Sequence, residues 1–182
     1  MKHKIRSYIK EKLNSRSELE KTEKSGIIKN KLFNEEVFKK ASVVMFYVSL
    51  KDEVNTLSMI DEAIGIGKRV CVPVIIKEEK RLIAGEIKDS MADLKRQHFG
   101  IYQPIKGRVK EVPLEDIDLI VVPGIAFDKK NFRLGRGHGY YDRFLSALPD
   151  HTRTIGLAFD FQVVEDLPKD AHDIPVWKTI TA

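Results

Sequence analysis

Four short apolar runs, rich in β-branched residues, constrain the fold of this chain more than any other feature. They cover residues 41–48, 69–76, 119–123 and 154–159. Such runs are typical of strands buried on both faces, as in parallel sheets. A helical pattern separates the first two runs, because Leu57, Ile60 and Ile64 are spaced along one helix face. The alternation predicts an α/β fold, a single three-layer domain over residues 1–182 whose mainly parallel sheet is flanked by helices on both faces.

The segments outside these runs are predicted to form helices, loops and shorter strands. Residues 2–40 read as helical, and Ser17 with Glu20 has the form of a capping box that begins a second helix. A helix is predicted over 140–148 and an edge strand over 176–181. Residues 77–107 are predicted to form a small strand, a loop or short helix, and an extended segment at 101–104.

Charge and cysteine content narrow the class of protein. The net charge of +5 and the pI of about 9.2 favour an anionic partner, which could be a nucleotide, a polyglutamate tail or a nucleic acid. Cys71 is the single cysteine, so an intrachain disulfide and a zinc site made of cysteines are excluded. No apolar segment reaches the roughly 20 residues that span a bilayer. We therefore expect a cytoplasmic protein without a membrane partner.

The segment Phe132–Asp142 (FRLGRGHGYYD) places three glycines at alternate positions directly before the predicted helix. Glycine lacks a Cβ atom, so such a segment can bring backbone amides close to a bound anion. Arg133, Arg136 and His138 add positive charge. The segment follows the strand at 119–123, and ligands of parallel sheets bind beyond the carboxyl ends of strands. We predict that this segment forms a phosphate-binding loop, the glycine loop. Its glycine spacing matches neither the P-loop nor the dinucleotide motif.

Several charged residues have two interpretations each. Asp142, in the first turn of the predicted helix, could interact with the helix dipole or bind Mg²⁺, with Asp173 as a second carboxylate. Glu53 could be solvated near a helix start, or accept paired hydrogen bonds from an amino-heterocycle. Lys2, Lys4 and Arg6 are predicted to share one helix face, for which a solvated basic surface is the simpler interpretation.

Two segments together resemble the motif of the 5-formyltetrahydrofolate cyclo-ligase family, also called 5,10-methenyltetrahydrofolate synthetases. They are Val122–Asp128 (VPGIAFD) and Arg133–Asp142 (RLGRGHGYYD). Shorter segments at 2–6, 47–53, 100–104, 158–162 and 172–173 are similar to other parts of the family, in the same order. The resemblance therefore extends along most of the chain.

The resemblance implies a ligase that closes 5-formyltetrahydrofolate, with or without a polyglutamate tail, to 5,10-methenyltetrahydrofolate while ATP becomes ADP and phosphate. It implies a monomer that binds Mg²⁺ and neither nucleic acid nor membrane. Arg136 is the implied catalytic residue, and Asp142 and Asp173 are the implied Mg²⁺ ligands. The implied ATP contacts are Lys2, His3, Lys4, Ile5, Arg6, Arg133, Leu134, Gly135, Arg136, Gly137, His138, Gly139, Tyr140 and Tyr141. The implied substrate contacts are Val48, Glu53, Arg136, Gly137, His138, Gly139 and Tyr140.

This chain departs from the family pattern in two places. The tail Val176–Ala182 (VWKTITA) differs from the family's usual acidic ending. The family usually has a glycine shortly before the Arg-Leu-Gly triplet, where this chain has Lys130-Asn131-Phe132. The backbone before the glycine loop is therefore expected to differ. An enzyme similar to sugar-phosphate isomerases would explain the loop without ATP or Mg²⁺. A nucleic-acid-binding module would explain the basic charge, and its affinity would depend steeply on salt.

Overall fold

The computed structural model describes residues 1–96, 102–105, 107 and 110–182, and it confirms the α/β prediction. None of the helices in these ranges is both long enough and apolar enough to cross a membrane. The helices are α1 (Lys2–Asn14), α2 (Glu18–Asn34), α3 (Glu36–Lys40), α4 (Leu57–Gly65), α5 (Ser90–Asp93) and α6 (Tyr140–Ser146). The strands are β1 (Val43–Met45), β2 (Arg69–Ile76), β3 (Arg81–Ile87), β4 (Leu94–Arg96), β5 (Tyr102–Pro104), β6 (Lys110–Val112), β7 (Leu119–Val122), β8 (Ala126–Asp128), β9 (Arg133–Leu134), β10 (Arg153–Ala158), β11 (Val163–Val164) and β12 (Lys178–Thr181).

A seven-stranded sheet in the order β12-β10-β7-β1-β2-β3-β6 forms the centre of the fold. The first five strands of this order pair in parallel, whereas β3 and β6 run antiparallel to their neighbours. The prediction of a mainly parallel sheet with a terminal edge strand is therefore correct. The parallel strands bring their carboxyl ends to one edge of the sheet.

Strand β1 shows why the sheet is covered on both faces. Successive side chains of a strand point to opposite faces. Val44 accordingly packs in a core with residues of α1, α2 and α4. Val43 and Met45 pack in a second core with Phe144 of α6. Because both faces are apolar, the chain must place a helical layer on each, which gives the three layers.

The N-terminal helical segment and the irregular segment differ in detail from the predictions. The Ser17 hydroxyl accepts the Glu20 N–H at 3.1 Å, so the predicted start of the second helix is correct. Strand β1 is shorter than the apolar run 41–48, because its pairing with β2 ends after Met45. The small strand predicted after residue 77 is the seven-residue β3, which pairs with β2 along its length. The extended segment is confirmed as β5, while Gly100 and Ile101 lie outside the described residues.

A small sheet, in the order β11-β8-β9, was not predicted and links the central sheet to the glycine loop. Its strand β8 carries Phe127, which is fully buried. A Cβ atom at Gly156 of β10 would lie only 2.3 Å from the Phe127 ring, so only glycine allows this close packing. The contact holds β8 over the central sheet, and β9 then leads directly into the glycine loop.

Candidate functional site

A cavity of about 520 Å³ lies where the carboxyl ends of β1, β2 and β7 meet the glycine loop. The start of α1, the segment 170–173 and residues of β3 and β5 also line it. The cavity brings together residues that the sequence analysis selected from distant parts of the chain. They are Lys2, Arg6, Val48, Glu53, Asp173 and every residue from Arg133 to Asp142.

The glycine loop depends on backbone conformations that favour glycine. Gly137 and Gly139 have φ values of +100° and +66°, which L-amino acids adopt at a cost. Asn131, before the loop, has a φ of +63°. Asparagine tolerates this left-handed conformation better than most residues other than glycine. Asn131 can therefore form the turn before Arg133, close to the position where the family usually has a glycine. The Arg6 Nε atom donates to the Gly135 carbonyl at 2.9 Å and thereby fixes the loop against α1.

Arg133 places a fixed positive charge in the wall of the cavity. Its side chain is only 4% exposed, and its Nη2 atom lies 2.6 Å from Asp142 Oδ1. Its guanidinium also lies over the Tyr141 ring, 5.5 Å from the centroid. Burial lowers the pKa of Arg133, and the charge of Asp142 opposes that shift. The ion pair therefore keeps a buried arginine charged beside the glycine loop.

Arg136 joins the glycine loop to the segment that follows β1. Its Nη2 atom lies 3.0 Å from Asp52 Oδ1 and 3.1 Å from Glu53 Oε1. The Glu53 side chain is 14% exposed, and its Oε2 atom accepts the Leu50 N–H at 2.9 Å. Burial raises the pKa of Glu53, while the Leu50 N–H and Arg136 oppose the shift. Nearby, the Tyr47 hydroxyl donates to the Val54 carbonyl at 3.0 Å.

Two carboxylates and Lys2 lie together in the part of the cavity that is lined by the start of α1 and the segment 170–173. The Lys2 Nζ atom lies 2.7 Å from Asp170 Oδ2 and 2.8 Å from Asp173 Oδ2. Burial opposes ionisation of Asp173, but Lys2 and the Asp170 N–H lower the pKa of this carboxyl overall. Potential ligand atoms of Asp170, His172 and Asp173 all lie within 4.8 Å of one another. The carboxylate oxygens of Asp170 and Asp173 are ligands that suit a hard divalent cation.

Three implied ATP contacts lie away from the cavity. His3 and Lys4 are exposed, and Ile5 packs against the core beneath α1. The prediction that Lys2, Lys4 and Arg6 share one helix face is wrong for Lys4. Residues two apart on a helix point about 200° apart, whereas residues four apart lie on the same side. Lys2 and Arg6 therefore line the cavity together, without Lys4.

The sequence analysis missed part of the cavity lining. The missed residues come from the segment after β1, from β2, β3 and β5, from the turn after β7 and from the segment before Asp173. Asp52 is a further missed residue, since it shares Arg136 with Glu53. Most of these side chains are apolar. Asp170 and His172 could have been found from their closeness in sequence to Asp173, and Gln103 from its place in the segment 100–104 that resembles the family. The missed lining residues are Tyr47, Leu50, Pro73, Ile75, Leu82, Tyr102, Gln103, Pro123, Gly124, Ile125, Asp170 and His172.

Comparisons with known proteins identify relatives of this chain. The model of the 5-formyltetrahydrofolate cyclo-ligase family matches residues 1–182. The 5-formyltetrahydrofolate cyclo-ligase of Mus musculus is 31% identical over 180 residues, which cover 94% of this chain and 89% of that protein. The protein of the same name from Escherichia coli strain K12 is 33% identical over 143 residues, 78% of each chain. The solved structure of Aquifex aeolicus 5,10-methenyltetrahydrofolate synthetase superposes with a TM-score of 0.85 at 34% identity, over 99% of this chain and 89% of that one.

Proposed function

The chain belongs to the 5-formyltetrahydrofolate cyclo-ligase family, a family of ligases, and we propose that it closes 5-formyltetrahydrofolate to 5,10-methenyltetrahydrofolate at the expense of ATP. ADP and phosphate are the other products. One α/β domain, residues 1–182, carries the whole reaction in this proposal. The observation that supports it best is a single cavity with two chemically different ends.

One end of the cavity is suited to phosphates. Lys2, Arg6 and Arg133 supply positive charge there, and the glycine loop supplies backbone amides. Gly137 and Gly139 allow the loop to approach a phosphate without interference from side chains. Phosphoryl transfer requires mainly alignment and neutralisation of charge, which these groups can provide.

The other end is suited to a flat heterocycle with hydrogen-bond donors. The Glu53 carboxylate, on a side chain that is only 14% exposed, lines the cavity together with Tyr47 and Val48. A carboxylate can accept two parallel hydrogen bonds, and the amino and ring N–H groups of a pterin offer two. The cavity volume of about 520 Å³ is typical of sites for small organic ligands.

The proposed reaction begins with the formyl oxygen, a poor leaving group. That oxygen attacks the γ-phosphorus of ATP, a new P–O bond forms, and ADP leaves with the electrons of the broken P–O bond. N10 then attacks the activated formyl carbon, and phosphate departs. Arg136 belongs to the glycine loop and pairs with Asp52 and Glu53. We assign it to charge stabilisation at the transferring phosphoryl group.

Asp142 and Asp173 are the proposed Mg²⁺ ligands. Both line the phosphate end, and each uses one carboxylate oxygen in the contacts to Arg133 and Lys2. The oxygen donors fit a magnesium ion that also contacts phosphate oxygens. When bound, the ion would neutralise phosphate charge. Asp170 and His172 adjoin Asp173 at the same end of the cavity.

We propose a monomer that acts in the cytoplasm on 5-formyltetrahydrofolate with or without a polyglutamate tail. Membership of the family favours this activity over a sugar-phosphate isomerase or a nucleic-acid-binding module.

The experiment that tests the proposal is an ADP assay with purified protein, ATP and Mg²⁺. We expect ADP to form only when 5-formyltetrahydrofolate is added, and not when sugar phosphates or nucleic acids replace it. ADP formation that is independent of the folate would contradict the proposal.

A further inference from the structure

The carboxylate of Asp128, the last residue of β8, holds the turn that leads into the glycine loop. Its side chain has no exposed surface. The Oδ1 atom accepts the N–H groups of Lys130 and Phe132, each at 2.9 Å. The Asn131 N–H donates to the Asp128 carbonyl, also at 2.9 Å. The backbone is therefore fixed up to the residue before Arg133, where β9 begins.

The second oxygen of Asp128 binds a distant stretch of the chain. Oδ2 accepts the Leu167 N–H at 3.3 Å and lies 3.3 Å from Lys169 Nζ. The Lys169 ammonium also lies over the Phe132 ring, 4.7 Å from its centroid. A buried carboxylate is unfavourable unless hydrogen-bond donors surround it, and here each oxygen has two. The turn after β8 is thereby joined to a segment 39 positions away.

This segment, 167–176, is attached to the turn at both of its ends. The second attachment is the Val176 N–H, which donates to the Asn131 carbonyl at 2.9 Å. Between the two attachments lie Asp170 and Asp173, and both line the cavity. The Asp170 N–H donates to Asp173 Oδ2 at 2.8 Å, which holds the two residues together. The place of these carboxylates therefore depends on the turn.

Asp128 does not line the cavity, but it connects the two walls that carry the proposed Mg²⁺ ligands. Arg133, the residue after the turn, lies 2.6 Å from Asp142, and the segment 167–176 carries Asp173. Resting on the proposed function, we propose that Asp128 is a positioning residue. Its carboxylate sets the place of Asp173 relative to the glycine loop, and with it the fit of ATP and Mg²⁺ at the phosphate end. The resemblance to the family includes Asp128 in a motif but implies no role for it.

The test replaces Asp128 by asparagine in the full chain. An amide keeps one acceptor oxygen and gains an NH₂ group, so it can hold either the turn or the segment 167–176 but not both. Lys169→Met is a milder second variant, which removes only the ammonium. Asp118→Ala is the matched control, because Asp118 Oδ2 accepts two backbone N–H groups at the start of β1, at 2.8 and 2.9 Å, away from the cavity.

Calorimetric titration with ATP and Mg²⁺, without folate, measures binding at the phosphate end. For Asp128→Asn we expect the Kd of ATP to rise about 10-fold or more, and for Lys169→Met by a smaller factor. The KM for ATP should rise with the Kd, while the KM for 5-formyltetrahydrofolate stays within about twofold of wild type. Asp118→Ala should lower the thermal unfolding midpoint, because two N–H groups lose their acceptor, yet keep the Kd of ATP within about twofold of wild type.

The proposal would be overturned by a wild-type Kd of ATP in Asp128→Asn, or by a KM for the folate that rises as much as that for ATP. An equal loss of ATP binding in Asp118→Ala would also overturn it, since destabilisation alone would then explain the effect. If Asp128→Asn does not fold, an unchanged Kd in Lys169→Met overturns the proposal instead. A wild-type protein that binds no ATP in the presence of Mg²⁺ would overturn the proposed function and this inference with it.

Discussion

Arg133 and Arg136 belong to the same loop but have different surroundings. The Arg133 side chain is 4% exposed and held by Asp142, whereas the Arg136 side chain is 44% exposed and shared by Asp52 and Glu53. Removing one partner of a buried ion pair leaves an uncompensated charge, while exposed pairs contribute little to stability. Arg133 therefore contributes to the fold as well as to the wall of the cavity, whereas the more exposed Arg136 contributes less to stability.

Replacement of Arg136 tests this division at the residue scale. We expect Arg136→Ala to lower kcat about 100- to 1000-fold and to change the free energy of unfolding by less than about 1 kcal/mol. Arg69→Ala is the matched control, because Arg69 is also exposed and pairs with a carboxylate, Glu86, away from the cavity. Steady-state kinetics and urea unfolding measure the two effects. A near-normal kcat for Arg136→Ala would remove this residue from the mechanism.

Glu53 should make the stability of the protein depend on pH. Burial raises its pKa above 4.5 in the folded protein, despite the Leu50 N–H and Arg136. The folded state thus holds a proton that the unfolded chain has lost, so stability falls as pH rises from about 4.5 through the higher folded-state pKa. The stability of wild type relative to Glu53→Gln should therefore be greatest below pH 4.5 and should decline through that window.

Glu86 provides a control of opposite sign. Its hydrogen bond to Arg69 lowers its pKa below 4.5 in the folded protein. The stability of wild type relative to Glu86→Gln should therefore decrease as pH falls through the lowered pKa. Urea unfolding at a series of pH values measures both differences. A Glu53 difference that is constant or increases with pH would show that Glu53 is not destabilised by burial.

At the scale of elements, the glycine loop depends on backbone conformation more than on space. A Cβ atom at Gly137 would meet nothing closer than Arg6 Nη2 at 3.6 Å, but the φ of +100° disfavours any L-amino acid. We expect Gly137→Ala to destabilise the fold by about 1–2 kcal/mol and to lower activity, because the loop must change shape.

Gly26 in α2 is the control for that substitution. A Cβ atom there would meet nothing within 4 Å, and the helix interior disfavours glycine. Gly26→Ala should stabilise the protein by about 0.5–1 kcal/mol and leave activity unchanged. Thermal unfolding with kinetics measures both variants. Equal effects of the two substitutions would contradict the assignment of a special conformation to the glycine loop.

The elements also show what local sequence can predict. Strand β2 and helix α4 follow from short-range patterns, the apolar run at 69–76 and the helical spacing before Gly65. The small sheet of β8, β9 and β11 was missed, because its strands are two or three residues long and depend on distant partners. Pairing such as Phe127 with Val163 leaves no periodic signal in either segment.

At the scale of the whole molecule, the cavity is built from segments far apart in sequence. The glycine loop and Glu53 could be selected from residue types and from their position after predicted strands. The pairing of Lys2 with Asp173, 171 positions away, could not be read from spacing. Apolar lining residues such as Ile75 and Leu82 are equally hidden, because they look like ordinary strand residues until the sheet edge is formed.

The most direct test of the whole account is formation of 5,10-methenyltetrahydrofolate by the purified protein. The absorbance of the methenyl product is followed after 5-formyltetrahydrofolate, ATP and Mg²⁺ are mixed. We expect product to appear in step with ADP, one for one, and to require all three additions. Folded protein that forms no methenyl product under these conditions, or forms it equally well without ATP, would contradict the account.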